Sequence, residues 1–104
     1  MNQKKFKLEI LASARSELHE IARIHLELAG SESARRITAK IKGALDRLRT
    51  YPLMGAAIDD NELRSLGYRK LVCGNYLCFY RLIGETVYIY HIVDGRFEYK
   101  KIFY

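Results

Sequence analysis

The 104-residue chain has a single proline, only two cysteines, and no apolar run approaching the ~20 residues needed to span a bilayer. We therefore expect no membrane span. The segment from Met1 to Lys7 has neither a long apolar stretch nor a small-residue cleavage site, so we expect no signal peptide and a cytoplasmic location. The length fits one small domain over residues 1–104 and excludes a large cofactor-binding fold.

The usual arrangements of catalytic and metal-binding residues are also missing from the sequence. Cys73 and Cys78 are spaced neither as a redox CxxC motif nor as half of a zinc site, so both are predicted to be reduced core residues. His19 and His25 have no carboxylate or cysteine at ligand spacing. There is no Ser/His/Asp or Cys/His set and no phosphate-binding glycine loop. We therefore expect no metal and no other cofactor.

Positive charge is what the chain has in excess, since 18 Lys and Arg residues against 12 Asp and Glu residues give a formal net charge of +6. Such an excess favours an anionic partner, whether nucleic acid, the ribosome or an acidic protein. Many of these cations fall on one predicted helix, at Arg35, Arg36, Lys40, Lys42, Arg47 and Arg49. That run is either a solvated helix face or a surface for an acidic partner or nucleic acid.

Hydrophobic spacing predicts the elements of the first half. Residues 6–10 alternate between apolar and polar, the pattern of a half-buried strand. A first helix is predicted from an N-cap at Ser13 to a C-cap at Gly30, and a second begins with a cap at Ser31 or Ser33. Because the link between them is short, the two helices are expected to form an antiparallel hairpin.

The second half changes to strand-forming residues. The second helix is predicted to end near Tyr51. Residues 52–62 show neither the helical nor the strand spacing of apolar residues and are expected to form a loop. Three segments rich in Tyr, Val, Ile and Phe follow, separated by two-residue loops that begin with glycine. They are Tyr68–Cys73, Tyr76–Ile83 and Thr86–Val93. The sequence therefore predicts an α+β fold: an N-terminal strand, a two-helix antiparallel hairpin, a three-stranded antiparallel meander and a short C-terminal tail of open structure.

Hairpin register sorts the side chains of the meander onto two faces. If Cys73 pairs with Tyr76, one face is almost wholly apolar, also holds His91 and Val93, and is assigned to the helices. His91 is expected there as a structural histidine. The other face mixes cations with aromatic rings: Tyr68, Lys70, Val72, Leu77, Phe79, Arg81, Thr86, Tyr88, Tyr90 and Ile92. It is a surface for single-stranded nucleic acid, on which stacking contributes about 1–3 kcal/mol per base, or an ordinary sheet face or protein-binding surface.

Four short motifs in the second half carry a family resemblance. They are Leu63-Arg64-Ser65-Leu66-Gly67-Tyr68-Arg69-Lys70-Leu71, then Asn75-Tyr76-Leu77 with Phe79-Tyr80-Arg81, then Val87-Tyr88-Ile89, and finally Asp94-Gly95-Arg96-Phe97-Glu98-Tyr99. Together with the order of elements and the Tyr51-Pro52…Gly55 loop, they resemble the RelE/ParE superfamily of bacterial toxins. The resemblance implies the toxin of a type II toxin-antitoxin module, held inactive by an acidic cognate antitoxin.

The resemblance implies two alternative mechanisms. RelE-like members are ribosome-dependent endoribonucleases that cut mRNA without a metal, whereas ParE-like members bind and poison DNA gyrase and are not nucleases. Metal-free cleavage needs a group that activates the 2′-hydroxyl, cations that stabilise the phosphorane, and an acid for the leaving oxygen. If the chain is an enzyme, it is therefore expected to be a metal-independent endoribonuclease, an mRNA interferase.

Carried over residue by residue, the nuclease pattern implies catalytic roles for Lys70 and Arg96, with Tyr99 or Tyr104 as the tail tyrosine. Two other cation positions of that pattern are lost, since they hold Tyr68 and Leu77. Each lost cation removes about 2–4 kcal/mol of transition-state stabilisation. The candidate target-binding residues are Tyr68, Arg69, Arg81, Tyr88 and Tyr90. The lost cations favour ParE-like inhibition of gyrase, with RelE-like mRNA cleavage as the alternative.

Overall fold

The computed structural model describes residues 5–104, so residues 1–4 of the segment considered for a signal peptide lie outside the described residues. Within that range the chain forms five strands and four helices. In chain order they are β1 (Lys7–Ile10), α1 (Ala12–Ala29), α2 (Ser31–Arg47), β2 (Ala56–Ala57), α3 (Asn61–Ser65), β3 (Arg69–Cys73), β4 (Tyr76–Ile83), β5 (Thr86–Asp94) and α4 (Lys100–Phe103).

The strands form one mixed sheet in the order β1-β5-β4-β3-β2. β1 is parallel to β5, while the other neighbouring pairs are antiparallel. The predicted meander is confirmed, and Cys73 pairs with Tyr76. Both hairpins begin with a glycine at positive φ, +60° for Gly74 and +62° for Gly84, the conformation that a tight turn needs in its first central residue. The predicted α+β class is confirmed.

The two long helices pack against each other and are joined by Gly30 alone, which has φ +92°. Its N–H donates to the carbonyl oxygen of Leu26 at 3.0 Å, so the predicted C-cap is confirmed. The predicted serine caps are wrong, because Ser13 lies inside α1, Ser31 is the first residue of α2, and neither helix has a side-chain cap. α2 also ends at Arg47, earlier than predicted.

The main core lies between this helical hairpin and one face of the sheet. Its largest fully buried side chain is Tyr80 of β4, which shares the cluster with Ile41, Leu45 and Ile89. The hydroxyl of Tyr80 is not left unpaired, since the backbone N–H of Gly55 donates to it at 2.9 Å. The sheet face assigned to the helices is therefore the one they cover.

Both cysteines are buried as free thiols in this core, which confirms the prediction. Burial raises the pKa of the Cys78 thiol to about 12, and it also raises the pKa of Cys73. The thiol of Cys73 donates to the carbonyl oxygen of Lys40 at 3.6 Å. Both thiols are protonated at neutral pH and are therefore poor nucleophiles.

The second face of the sheet is covered as well, by elements that the sequence analysis did not predict. The expected loop of residues 52–62 contains β2 and the start of α3, and the tail folds back as α4. Phe79 has no exposed surface and forms a second buried cluster with Ile58 and Leu63, against which Tyr99 and Phe103 pack. The prediction of an uncovered aromatic face is therefore wrong for its centre and holds only for its margin.

A β-bulge explains a further difference from the predicted faces. The pairing of β4 with β5 shifts between Phe79 and Tyr80, so that Tyr90 is an extra residue on β5. Beyond it the alternation of faces inverts. Ile92 lies in the main core, and Val93 packs against the second cluster, the reverse of the prediction.

His91 follows the same inversion, so its predicted place on the helix-covered face is wrong. Its ring contacts Phe103 with centroids 5.4 Å apart, and its Nδ1 lies 3.1 Å from a carboxylate oxygen of Glu17. The same carboxylate accepts the backbone N–H of Ile92 at 2.9 Å. Glu17 therefore ties α1 to the part of β5 that extends beyond its pairing with β1.

Candidate functional site

Lys70 and Tyr99, two of the residues implied for catalysis, lie beside the same buried ring. Lys70 is half-exposed on β3, paired with Phe79 of β4 and with Ala56 of β2. The ring of Tyr99 packs on Phe79 with centroids 5.2 Å apart. Tyr99 is thereby part of the second cluster, and its contact with Phe79 is apolar. Lys70 and Tyr99 together supply one cation, the Lys70 ammonium, at the margin of the second cluster.

Arg96, the third implied catalytic residue, is engaged with Asp94. Its Nε and Nη2 atoms each donate to a carboxylate oxygen of Asp94 at 3.0 Å, and its backbone N–H donates at 2.9 Å. These hydrogen bonds lower the pKa of Asp94 to about 2. The segment is fixed beside the β3–β4 hairpin, because the N–H of Gly95 donates to the carbonyl oxygen of Asn75 at 2.7 Å. The Arg96 guanidinium is exposed but its charge is matched by a neighbouring carboxylate.

Four of the predicted target-binding residues form one group, the aromatic-cation patch of Tyr68, Arg81, Tyr88 and Tyr90. The guanidinium carbon of Arg81 lies 5.0 Å from the ring centroid of Tyr68 and 5.9 Å from that of Tyr90. Tyr68 and Tyr90 meet edge to face at 5.1 Å, and Tyr88 pairs with Arg81 across the strands. All four side chains are half-buried, which leaves part of each ring accessible.

Arg69, the fifth predicted target-binding residue, holds a loop. Its Nη1 donates to the carbonyl oxygen of Gly55 at 2.7 Å and to that of Leu53 at 3.3 Å. The same loop is held from the core through the bond between Gly55 and Tyr80. These bonds fix the chain that leads into β2 and thus the sheet edge next to Lys70.

The two positions at which the nuclease pattern loses a cation are filled by packed side chains. Tyr68 contacts Phe103 with centroids 4.9 Å apart, and Leu77 packs against the second cluster. Neither side chain supplies a positive charge in place of the lost cation. Arg81 contacts the ring of Tyr68, and its guanidinium is thereby engaged with aromatic surface.

One polar group with a structural role was not identified from the sequence. His25 of α1 contacts Ser33 of α2 through Nδ1 at 3.1 Å and the hydroxyl of Tyr76 on β4 through Nε2 at 3.0 Å. The three residues tie the helical hairpin to the sheet. A partner 51 positions away leaves no local signal, so a sequence pattern could not have found it.

Among residues 5–104, no group of three or more His, Cys, Asp or Glu side chains could hold a metal ion. No helix in the same range is both long enough and apolar enough to cross a membrane.

The fold defines the class to which the chain belongs. It is similar to a chain of the chromosomal ParDE toxin-antitoxin system from P. aeruginosa, with a TM-score of 0.73 and 20% identity over 88% of this chain and 97% of that one. It is also similar to a chain of the toxin-antitoxin complex RelBE2 from Mycobacterium tuberculosis, with a TM-score of 0.64 and 22% identity over 89% of this chain and 94% of that one. These likenesses establish the fold shared by RelE and ParE toxins.

Sequence comparison then gives the family. The model of the ParE toxin of the type II toxin-antitoxin system parDE matches residues 8–99. The chain is 32% identical to Toxin ParE1 of Mycobacterium tuberculosis over 87 residues. The matched region covers 83% of this chain and 86% of that protein. The chain therefore belongs to the ParE toxin family, and it is a toxin of a type II toxin-antitoxin system with a cognate antitoxin as partner.

Proposed function

We propose that this toxin acts by binding and inhibiting DNA gyrase and does not cut mRNA. The observation that carries the proposal is that the pattern for metal-free RNA cleavage is incomplete, because two of its cations are replaced and Arg96 and Tyr99 are engaged with neighbouring side chains. Lys70 lies at the margin of the second cluster, Arg96 is paired with Asp94, and Tyr99 packs on Phe79.

A phosphorane would find little charge stabilisation at such a site. Each missing cation costs about 2–4 kcal/mol of transition-state stabilisation, and Tyr68 and Leu77 fill both of the positions concerned. The Arg96 guanidinium is paired with the Asp94 carboxylate, and that negative charge offsets part of the positive charge that Arg96 would present to a phosphorane. Inhibition by binding requires none of these groups to act on a reacting atom.

The proposed contact with gyrase includes the aromatic-cation patch, with Lys70 beside it. Partly exposed Tyr rings and Arg side chains are the residues most enriched at protein interfaces, because they combine a large apolar area with hydrogen-bonding groups. In this proposal Arg69 has a positioning role through the loop that it holds. The single domain suffices for inhibition, its antitoxin is acidic, and the toxin acts in the cytoplasm, where gyrase is found.

Supercoiling of relaxed plasmid by purified gyrase tests the proposal. Increasing concentrations of the wild-type chain are expected to block supercoiling, and Arg81→Glu is expected to need at least ~10-fold more protein because a central interface cation is reversed. Arg35→Glu, an exposed cation on α2, is the matched control and should inhibit like wild type.

One result would contradict the proposal, and another would contradict only the proposed contact. Undiminished supercoiling at a high excess of the wild-type chain would exclude gyrase as the target. Equal inhibition by Arg81→Glu and wild type would show that the aromatic-cation patch is not part of the contact, although gyrase would still be the target. Circular dichroism of both variants verifies that each is folded.

A further inference from the structure

A small hollow lies between α1 and α2, at the end of the helical hairpin that is far from Gly30. Its volume is about 210 Å³. We call it the basic hollow, because its polar lining consists of two cations, an imidazole and a hydroxyl. These groups belong to Arg15 and His19 of α1, one turn apart, and to Thr38 and Lys42 of α2, also one turn apart.

The positive charge of the basic hollow has no matching acid. No Asp or Glu is among the described residues that line it. Arg15 and Lys42 are exposed, and within residues 5–104 neither of them makes an ion pair.

The acids nearest to the hollow along both helices are engaged elsewhere. Glu17 contacts His91, Glu20 pairs with Arg23, and Asp46 pairs with Arg49. Each of these carboxylates has its own partner, so the Arg15 and Lys42 charges are available to an anion from outside the chain.

The lining lacks the groups that a protein or a membrane surface would need. None of the large exposed hydrophobic side chains of the described range lies in the hollow. Protein interfaces are anchored by large apolar or aromatic side chains, and a membrane-surface helix inserts such side chains into the lipid. The hollow also contains no Tyr or Phe on which an unpaired base could stack.

Phosphate oxygens match the groups that are present. A guanidinium, an ammonium, an imidazole N–H and a hydroxyl all donate hydrogen bonds to phosphate. Arg15 and His19 are about 6 Å apart along the axis of α1, which is close to two phosphate steps of about 3.4 Å along a DNA duplex. One strand of a duplex can therefore present successive phosphates to the two helices.

We propose that the basic hollow binds the phosphate backbone of duplex DNA without reading its sequence. Charge complementarity favours this occupant over a second copy of the chain, whose net charge is also +6. The choice of DNA over duplex RNA rests on the proposed function, since gyrase acts on duplex DNA. The hollow shares no residue with the aromatic-cation patch, so DNA binding and gyrase binding use different side chains.

Fluorescence anisotropy of a labelled short DNA duplex of mixed sequence, titrated with the purified chain in the absence of gyrase, measures this binding. Each phosphate contact contributes about 0.9 to the slope of log affinity against log salt, or about 8-fold in affinity at ~0.1 M salt relative to ~1 M. Arg15→Gln and Lys42→Gln are each expected to weaken binding about 8-fold and to reduce that slope by about 0.9.

Lys101→Gln is the matched control, because it removes an exposed cation from α4 and changes the net charge equally. It should stay within about 2-fold of wild type, with the same salt slope. Arg15 and Lys42 are exposed, so an unchanged urea midpoint is expected for their variants and shows that a loss of binding is not a loss of folding.

Three results would overturn the proposal. An equal loss in Lys101→Gln and in the two hollow variants would show that net charge alone attracts DNA. Wild-type affinity in Arg15→Gln and Lys42→Gln would remove the hollow from the contact. Tighter binding to an RNA duplex or to single-stranded DNA of the same sequence would exclude duplex DNA as the ligand. Failure of the gyrase proposal is read separately, from supercoiling.

Discussion

Gly55 is the glycine at which packing leaves the least room. A Cβ atom at this position would lie 2.6 Å from the hydroxyl oxygen of Tyr80 and 2.8 Å from the carbonyl oxygen of Lys70. Both neighbours are fixed, one by the core and one by the sheet. Gly55→Ala is therefore expected to lower the free energy of unfolding by about 1–3 kcal/mol in urea titrations.

Gly43 is the control for that substitution. It lies inside α2, and a Cβ atom at this position would have no neighbour within 4 Å, so Gly43→Ala should raise the free energy of unfolding by about 0.5–1 kcal/mol through helix propensity. Opposite signs at the two glycines are the expected result. A loss of stability at Gly43 or none at Gly55 would contradict the packing described for this loop.

The Asp94 carboxylate gives a prediction about pH. Its pKa of about 2 in the folded chain lies below the value of about 3.9 in an unfolded chain. The interaction with Arg96 therefore stabilises the fold above pH ~4, and this contribution is lost as the pH falls toward 2. In Arg96→Ala the carboxyl resonance of Asp94 should titrate above about 3, because the largest cause of the lowered pKa is gone.

Carbon-detected NMR titration of the side-chain carboxyls measures this midpoint directly. Arg35→Ala, which removes a cation from α2, should leave the Asp94 midpoint in place. If Asp94 titrated equally in Arg96→Ala and wild type, the ion pair beside the β3–β4 hairpin would not be the cause of the lowered pKa.

At the scale of elements, the tail helix α4 is the feature that covers the second sheet face. Phe103 contacts Tyr68, Phe79 and His91 with ring centroids between 4.9 and 5.6 Å. Phe103→Ala should lower the free energy of unfolding by about 1–3 kcal/mol, because a half-buried ring of the second cluster is removed. Lys101→Ala, on the exposed side of the same helix, should change it by less than about 0.5 kcal/mol.

Urea unfolding followed by far-UV circular dichroism measures both variants. Equal midpoints for Phe103→Ala and wild type would mean that α4 does not hold the second cluster together. The expected result is a clear shift for Phe103→Ala alone.

The elements that the sequence predicted correctly are those specified by local signals. Alternation and glycine turns defined β4 at both ends, and Gly30 marked the end of α1. The bulge at Tyr90 has no local signal, because it is defined by pairing with β4, and it moved His91 to the other face. The tail could not be placed either, since α4 is short and is held mainly by ring contacts with residues far along the chain.

The candidate site was predictable to a similar extent. Register placed Lys70, Arg81 and Tyr88 correctly on one face, because the first hairpin fixes the alternation of β3 and β4. The pairing of Arg96 with Asp94 was missed, although the two residues are only two positions apart in the sequence. Whether a side chain is free or engaged depends on the turn conformation, and the sequence motif alone does not specify that conformation.

At the scale of the whole molecule, basic side chains occur both on α2 and at the margin of the second sheet face. Lys40 and Arg36 lie on α2 and line the same shallow hollow. The aromatic-cation patch with Lys70 lies on the second sheet face and is proposed to meet the target. A substitution in the aromatic-cation patch is therefore predicted to reduce toxicity.

Mapping of mRNA 5′ ends by primer extension in a translating extract, run alongside gyrase supercoiling with the same preparation of toxin, tests the central claim most directly. Gyrase inhibition with no new mRNA ends is the predicted result. New ends that depend on the ribosome, together with unimpaired supercoiling, would contradict it and assign the chain to the nuclease branch.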